Sequence, residues 1–171
     1  MTNVPGDARI PSDESAAEQA HIDAIALLQA DHRAVEEIFA AFEQTADDDL
    51  EAKGTLVRRA CEALTVHAMI EEELLYPEAN EALEGDAQKD VEEAYVEHFL
   101  MKTLIEKFTT LKPGADGFDA TFRVLTENTR HHVKEEESEL FPELRQSGLD
   151  LNALGQRLSE RKKALMAKLP Q

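Results

Sequence analysis

The stretch His67-Ala-Met-Ile-Glu71-Glu72-Glu73-Leu-Leu75-Tyr76-Pro77 returns later in the chain as His132-Val-Lys-Glu-Glu136-Glu137-Ser-Glu-Leu140-Phe141-Pro142. In each copy a His is followed by a Glu four residues on and a Pro ten residues on. On an α-helix four residues turn through about 400°, so His and Glu stand on one face roughly one turn apart. An acidic residue and a His precede each copy: Asp31-His32 stands before the first and Glu97-His98 before the second, with the His residues 35 and 34 positions upstream. A Phe follows each upstream His at the same distance, Phe42 and Phe108. The chain therefore reads as an internal repeat of two helix pairs, each supplying a His and then HxxxE. That is the ligand arithmetic of a two-metal site inside a four-helix bundle.

Along the chain, the apolar spacing predicts five helices. Ser12 to Ser15, with Glu18 as a capping-box partner, can start the first. Its stripe runs Ile22, Ile25, Leu28, Val35, Ile38, Phe39 and Phe42, and it should end near Thr45, before Asp47-Asp-Asp49. The second is expected over about 50–83 with a kink at Pro77, and Gly85 stops it. The third is expected over about 86–111, ahead of the Pro113-Gly114 turn, and the fourth over about 117–144. A short fifth, about 150–168, follows Ser147-Gly148 as a lid or brace. Residues 1–12, with Pro5, Gly6 and Pro11, read as a disordered N-terminal arm. The expected fold is all-α: an up-down-up-down four-helix bundle over 13–169 with a C-terminal helix. His32, His67, His98 and His132 each fall near mid-helix, and antiparallel packing brings such positions to one height.

Composition bounds the rest. At 171 residues one domain is the default, and Ala, Leu, Glu and Lys dominate with no Trp. The formal net charge of −18 repels phosphate backbones and anionic lipid, which argues against nucleic acid and membrane partners. Cys61 is the lone cysteine, so no intrachain disulfide can form, and it reads as a core or boundary residue. No secretory leader or membrane-spanning run is legible, so a cytoplasmic location is expected. The oligomeric state is not readable.

Imidazole and carboxylate together suit iron, manganese or zinc. Two bridging carboxylates and two His per ion give four protein ligands each. An oxo, hydroxo or water bridge makes five and leaves one position open. With iron, such a site can bind oxygen, nitric oxide or peroxide.

Asp31-His32-Arg-Ala-Val-Glu36-Glu-Ile-Phe39, Leu64 to Pro77, Val96-Glu97-His98 and His131 to Pro142 resemble the bacterial members of the hemerythrin-like, or HHE cation-binding, family. Ser147 to Leu151 and Arg161 to Met166 resemble them as well. The resemblance covers about 22–168 and implies a non-haem di-iron protein bridged by Glu71 and Glu136. Members bind oxygen, sense oxygen or iron, or handle peroxide and nitric oxide. Oxygen carriers of the family have a fifth His four residues after the His of helix three; here that position is Lys102, a poor ligand. Glu36, four residues after His32, occupies the equivalent place in the first repeat and is the candidate substitute. The candidate ligand set is thus His32, His67, Glu71, His98, His132, Glu136 and Glu36.

Neighbouring residues take lesser roles. Tyr95, one turn before His98, is read as core packing, with a phenol aimed at the metal as the alternative. His131 and Glu135 also make an HxxxE pair, but the distance to proline selects His132 and Glu136, leaving His131 facing solvent or behind a ligand. His21 lies about 16 Å from His32 along the axis and is no ligand. Glu72, Glu73, Glu135 and Glu137 read as solvated faces, with a weak supporting role behind the ligands as the alternative. Asp31 and Glu97, each beside a ligand His, are candidates to support a ligand, although adjacency on a helix turns them elsewhere. An enzyme proper, decomposing peroxide or hydrolysing a substrate, and a structural metal bundle are the competing functional classes.

Overall fold

The computed structural model describes residues 22–169. The described residues are helical throughout, with no strand among them. α1 spans Ala24–Gln44 and α2 Leu50–Ile70. A π turn, Glu71–Leu75, then runs without a break into α3, Tyr76–Ala82. α4 spans Asp86–Lys107 and α5 Phe118–Glu135. A second π turn, Glu136–Leu140, leads into α6, Phe141–Gln146, and α7 closes the fold at Leu151–Met166. α1 lies against α2 and α4 against α5, and α7 braces α1 and α2.

Helix ends follow capping chemistry. The Asp23 carboxylate accepts from the Ala26 N–H at 2.8 Å, Asp49 accepts from Ala52 at 3.0 Å, and Asp150 accepts from Ala153 at 2.9 Å. Each satisfies an amide that the first turn leaves unpaired. α1 thus starts from an N-cap at Asp23. The expected arm and the Ser15 cap lie outside the described residues. α4 ends four residues before the expected 111, because the chain tightens into i→i+3 turns from Phe108 toward Pro113-Gly114. Gly85 and Gly114 sit at φ 69° and 81°, a left-handed backbone that suits glycine. Gly155 serves packing instead, since a Cβ there would strike the Ile22 carbonyl where α7 crosses the start of α1.

The prolines do not simply kink the bundle. Pro77 and Pro142 each stand two residues past the end of a π turn. In an α-helix a proline ring collides with the carbonyl four residues back and supplies no N–H to it. A π turn, closed by i→i+5 bonds, absorbs that mismatch. The bond is made by the residue just before each proline: the Tyr76 N–H donates to the Glu71 carbonyl and the Phe141 N–H to that of Glu136.

The core is split into two apolar layers. One holds Ile25, Leu28, Ile70, Leu75, Val91 and Leu158. The other holds Val35, Phe39, Val57, Leu64, Phe122 and Leu125. Between them lies a buried polar slab containing His32, His67, Glu71, His98, His132 and Glu136. Burying six such groups without a partner would be prohibitive, so the slab must be held by mutual bonds or by a cation.

Candidate metal centre

All four imidazoles present Nε2 to the centre and Nδ1 to a carboxylate. His32 Nδ1 lies 2.7 Å from Glu137, His98 Nδ1 3.0 Å from Glu72, and His132 Nδ1 2.8 Å from Glu97. His67 Nδ1 faces Asp31 at 3.5 Å. A carboxylate at Nδ1 holds the proton there and leaves the Nε2 lone pair free, the arrangement of a metal-bound histidine. Asp31 and Glu97 therefore support the second His of their own repeat, while Glu72 and Glu137 support the first His of the other. Lys102 donates to both oxygens of Glu72, at 2.7 and 2.8 Å, and Lys162 pairs with Asp31.

Inside the ring of imidazoles the contacts are those of ligands facing one another. His32 Nε2 and His67 Nε2 stand 3.1 Å apart, as do His98 Nε2 and His132 Nε2. Glu71 Oε2 lies 3.1 Å from His67 Nε2 and 3.4 Å from His98 Nε2. Glu136 Oε2 lies 3.3 Å from His32 Nε2 and 3.7 Å from His132 Nε2. Each glutamate thus reaches one imidazole from each repeat. Two overlapping ligand groups result, His32 with His67, Glu71 and Glu136, and Glu71 with His98 and His132.

The donor set fits cations. With Nδ1 protonated, the inward nitrogens and carboxylates are all acceptors, and acceptors in a dry chamber repel unless a positive charge lies between them. Glu71 Oε1 and Glu136 Oε2 are buried with no hydrogen-bond donor. Ligands at right angles on an ion with bonds of about 2.1 Å stand about 3.0 Å apart, close to the separations found here. With no metal bound, protons take the same place. Burial opposes a charge on His67, yet the Glu71, Asp31 and Glu136 carboxylates outweigh it and push its pKa up to about 10. His132 is raised likewise, burial being outweighed by Glu97, Glu136 and Glu71. Glu71 is held well below the usual carboxylate range, because His67 and His98 overcome its burial.

A phenol completes the chamber. The Tyr76 hydroxyl lies 3.2 Å from His98 Nε2, 3.3 Å from Glu136 Oε1 and 3.5 Å from Glu71 Oε2. Burial, and then the Glu136 and Glu71 charges, raise its pKa well above the usual value, so it is a proton donor. Tyr76 holds the place considered for Tyr95, whose ring packs edge-on against Tyr76 at 5.0 Å. A fixed rotation of 100° per residue turns Tyr76, five positions after Glu71, about 140° away from it. The π turn, signalled in sequence only by Pro77, brings the two onto one side.

The structure does not bring Glu36 to the centre. Its carboxylate is half exposed and accepts from Arg130 at 2.6 and 2.9 Å, a bidentate grip that a guanidinium on the facing helix supplies. His131 is exposed beside Glu135, at 3.2 Å. Glu73 pairs with Arg161 on α7. Glu72 and Glu137, read as solvated, hold His98 and His32. His21 lies outside the described residues.

The hemerythrin HHE cation binding domain profile matches residues 23–144. A Nostoc sp. protein (strain PCC 7120 / SAG 25.82 / UTEX 2576) named DNA nickase is 34% identical over 122 residues, which are 70% of this chain and 32% of that protein. The chain thus spans about a third of the length of that relative. No solved structure matches it. The ligand groups, their shared glutamates and the profile match converge: the chain belongs to the hemerythrin HHE cation-binding domain family.

Proposed function

We propose that the bundle holds two non-haem iron ions and binds, or reacts with, a small ligand: oxygen, nitric oxide or hydrogen peroxide. The observation that carries this reading is the sharing of Glu71 and Glu136 between imidazoles of both repeats. His32, His67, Glu71 and Glu136 would hold one ion; His98, His132 and the same glutamates would hold the other. Iron there would supply a redox couple and an open coordination position. The protein's part is to fix the four imidazoles through their Nδ1 carboxylates, to exclude bulk water by the two apolar layers, and to present the Tyr76 proton to the centre. Lys102 secures Glu72 in place of the fifth histidine, which fits a reactive or sensing centre better than reversible oxygen carriage. Manganese or zinc is accommodated by the same donors. A cytoplasmic location belongs to this reading; no described helix is long and apolar enough to cross a membrane.

Elemental analysis of protein grown in iron-supplemented medium, without a chelating tag, tests the reading. About two irons per chain, with visible spectra that respond to oxygen, nitric oxide or peroxide, is the expected result. Zinc alone, or one ion per chain, would move the reading to a hydrolytic or structural bundle.

The relative's name supplies a second reading, DNA strand cleavage. The −18 charge opposes a phosphodiester backbone. Incubation of iron-loaded protein with supercoiled plasmid should give no nicks above those of the Glu71→Ala variant. Nicking present in the wild type and lost in the variant would favour the second reading.

A further inference from the structure

A cleft of about 270 Å³ opens between α1 and α5, beside the centre, and Tyr76 does not line it. Its inner end is formed by His32, His67 and His132, and its walls by Val35, Phe39, Leu64, Met101 and Val133. Thr129 also lines it, but its hydroxyl is used on the Leu125 carbonyl at 2.9 Å. A diatomic molecule needs about one water's share of space, about 30 Å³, so the cleft is far larger than oxygen or nitric oxide requires. Apolar walls of this extent are what the body of an organic ligand fills.

The rim carries the second observation. Its acids are engaged: Asp31 with Lys162, Glu36 with Arg130, and Glu137 with His32 Nδ1 at 2.7 Å. Arg130 is occupied by Glu36 and Glu43. Arg33 and Lys134 line the same cleft and have no carboxylate partner among the described residues. In a chain with twice as many acidic as basic residues, two uncommitted cations beside an apolar cleft select an anionic head group.

We propose that this cleft binds an organic carboxylate with an unbranched apolar chain of about ten carbons, the head on Arg33 and Lys134 and the tail against the imidazole edges. The site deepens the metal reading above and rests on it for what lies beyond the tail. A ligand so placed covers the imidazole edges of His32 and His132.

Isothermal calorimetry on the iron-loaded full chain, with decanoate below its micelle concentration, tests this. One decanoate should bind per chain, butyrate at least tenfold more weakly, and decyltrimethylammonium not at all. Arg33→Glu combined with Lys134→Glu, both exposed, should cost decanoate fivefold or more. Val133→Phe, which narrows the cleft, should cost at least as much. Absence of saturable decanoate binding, equal binding of the cationic analogue, or wild-type affinity in the surface double variant would each overturn the proposal. Iron content measured on the same samples keeps the two readings apart. Full loading without decanoate binding breaks the cleft assignment alone. Decanoate binding at low iron content breaks the metal reading alone.

Discussion

The two repeats place equivalent residues in equivalent positions, and they diverge at two of them. Asp31, His32, His67, Glu71 and Glu72 of the first match Glu97, His98, His132, Glu136 and Glu137 of the second, down to the exchange of supporting carboxylates. At the residue after each π turn the match fails. Tyr76 points its hydroxyl into the chamber, whereas Phe141 lies parallel on the His32 ring with centroids 5.9 Å apart. It fails again four residues after the first His, where Lys102 grips Glu72 but Glu36 turns to Arg130. The shared positions build a pair of overlapping His/Glu groups that could hold a metal ion. The unshared ones make that pair unequal, with a polar phenol over the His98 side and apolar packing over the His32 side.

The largest effect should come from the residues both repeats share. Glu71→Ala and Glu136→Ala should each lose at least one metal per chain by elemental analysis. Full retention in both would remove the glutamates from the ligand set.

Proton competition comes next. Because the His67 pKa is raised to about 10, its charged form stabilises the metal-free fold fully below its ordinary value near 6.5, and that contribution is lost as pH rises through about 10. A metal-bound His67 is already deprotonated. The gap in thermal midpoint between metal-loaded and metal-free protein should therefore widen from about pH 6.5 to 10. A midpoint gap that is flat across this window would contradict the assignment.

Glu72→Gln and Glu137→Gln should each weaken metal binding about 10–100-fold in chelator competition, since each removes the negative charge of the acceptor that sets an imidazole from the other repeat. Tyr76→Phe makes the two repeats alike at that position. It should keep both ions and weaken retention about tenfold, the worth of one hydrogen bond to a charged acceptor. The reciprocal Phe141→Tyr should leave retention unchanged, because that ring stacks on His32. Smallest of all, Lys102→Met should cost less than about 1 kcal/mol of stability by denaturant titration, as a surface ion pair does.

The convergence of the buried histidines and glutamates was legible in the sequence because an α-helix converts a spacing of four into a shared face. Their shared height was legible from the near-equal intervals between repeats. The supporting acids were harder to read. Asp31 and Glu97 sit beside ligands and were expected to face elsewhere, yet each reaches a neighbouring helix, where its partner imidazole lies. That requires interhelical geometry, which a single helical wheel lacks. Glu72 and Glu137 sit in runs of acids in which Glu71 and Glu136 face the centre, Glu73 turns to α7 and Glu135 to His131, so composition hides them. Tyr76 was not legible because 100° per residue turns it away from Glu71, and only the π turn ahead of Pro77 brings it back. Glu36 went the other way: the wheel placed it correctly beside His32, but only the facing Arg130 decides where its carboxylate ends.

The π turns bear on how such a centre can arise. One π turn is equivalent to a single residue added to an α-helix, which delays the downstream face without ending the rod. Deleting one residue between Glu72 and Leu75 would leave a continuous helix, and would swing Tyr76 and all of α3 out of phase with Glu71. Both repeats carry the turn at the same offset from His and from proline. One codon inserted ahead of a duplication is therefore enough to account for both, and the later divergence at Tyr76 and Phe141 needed only point substitutions on a frame already in phase.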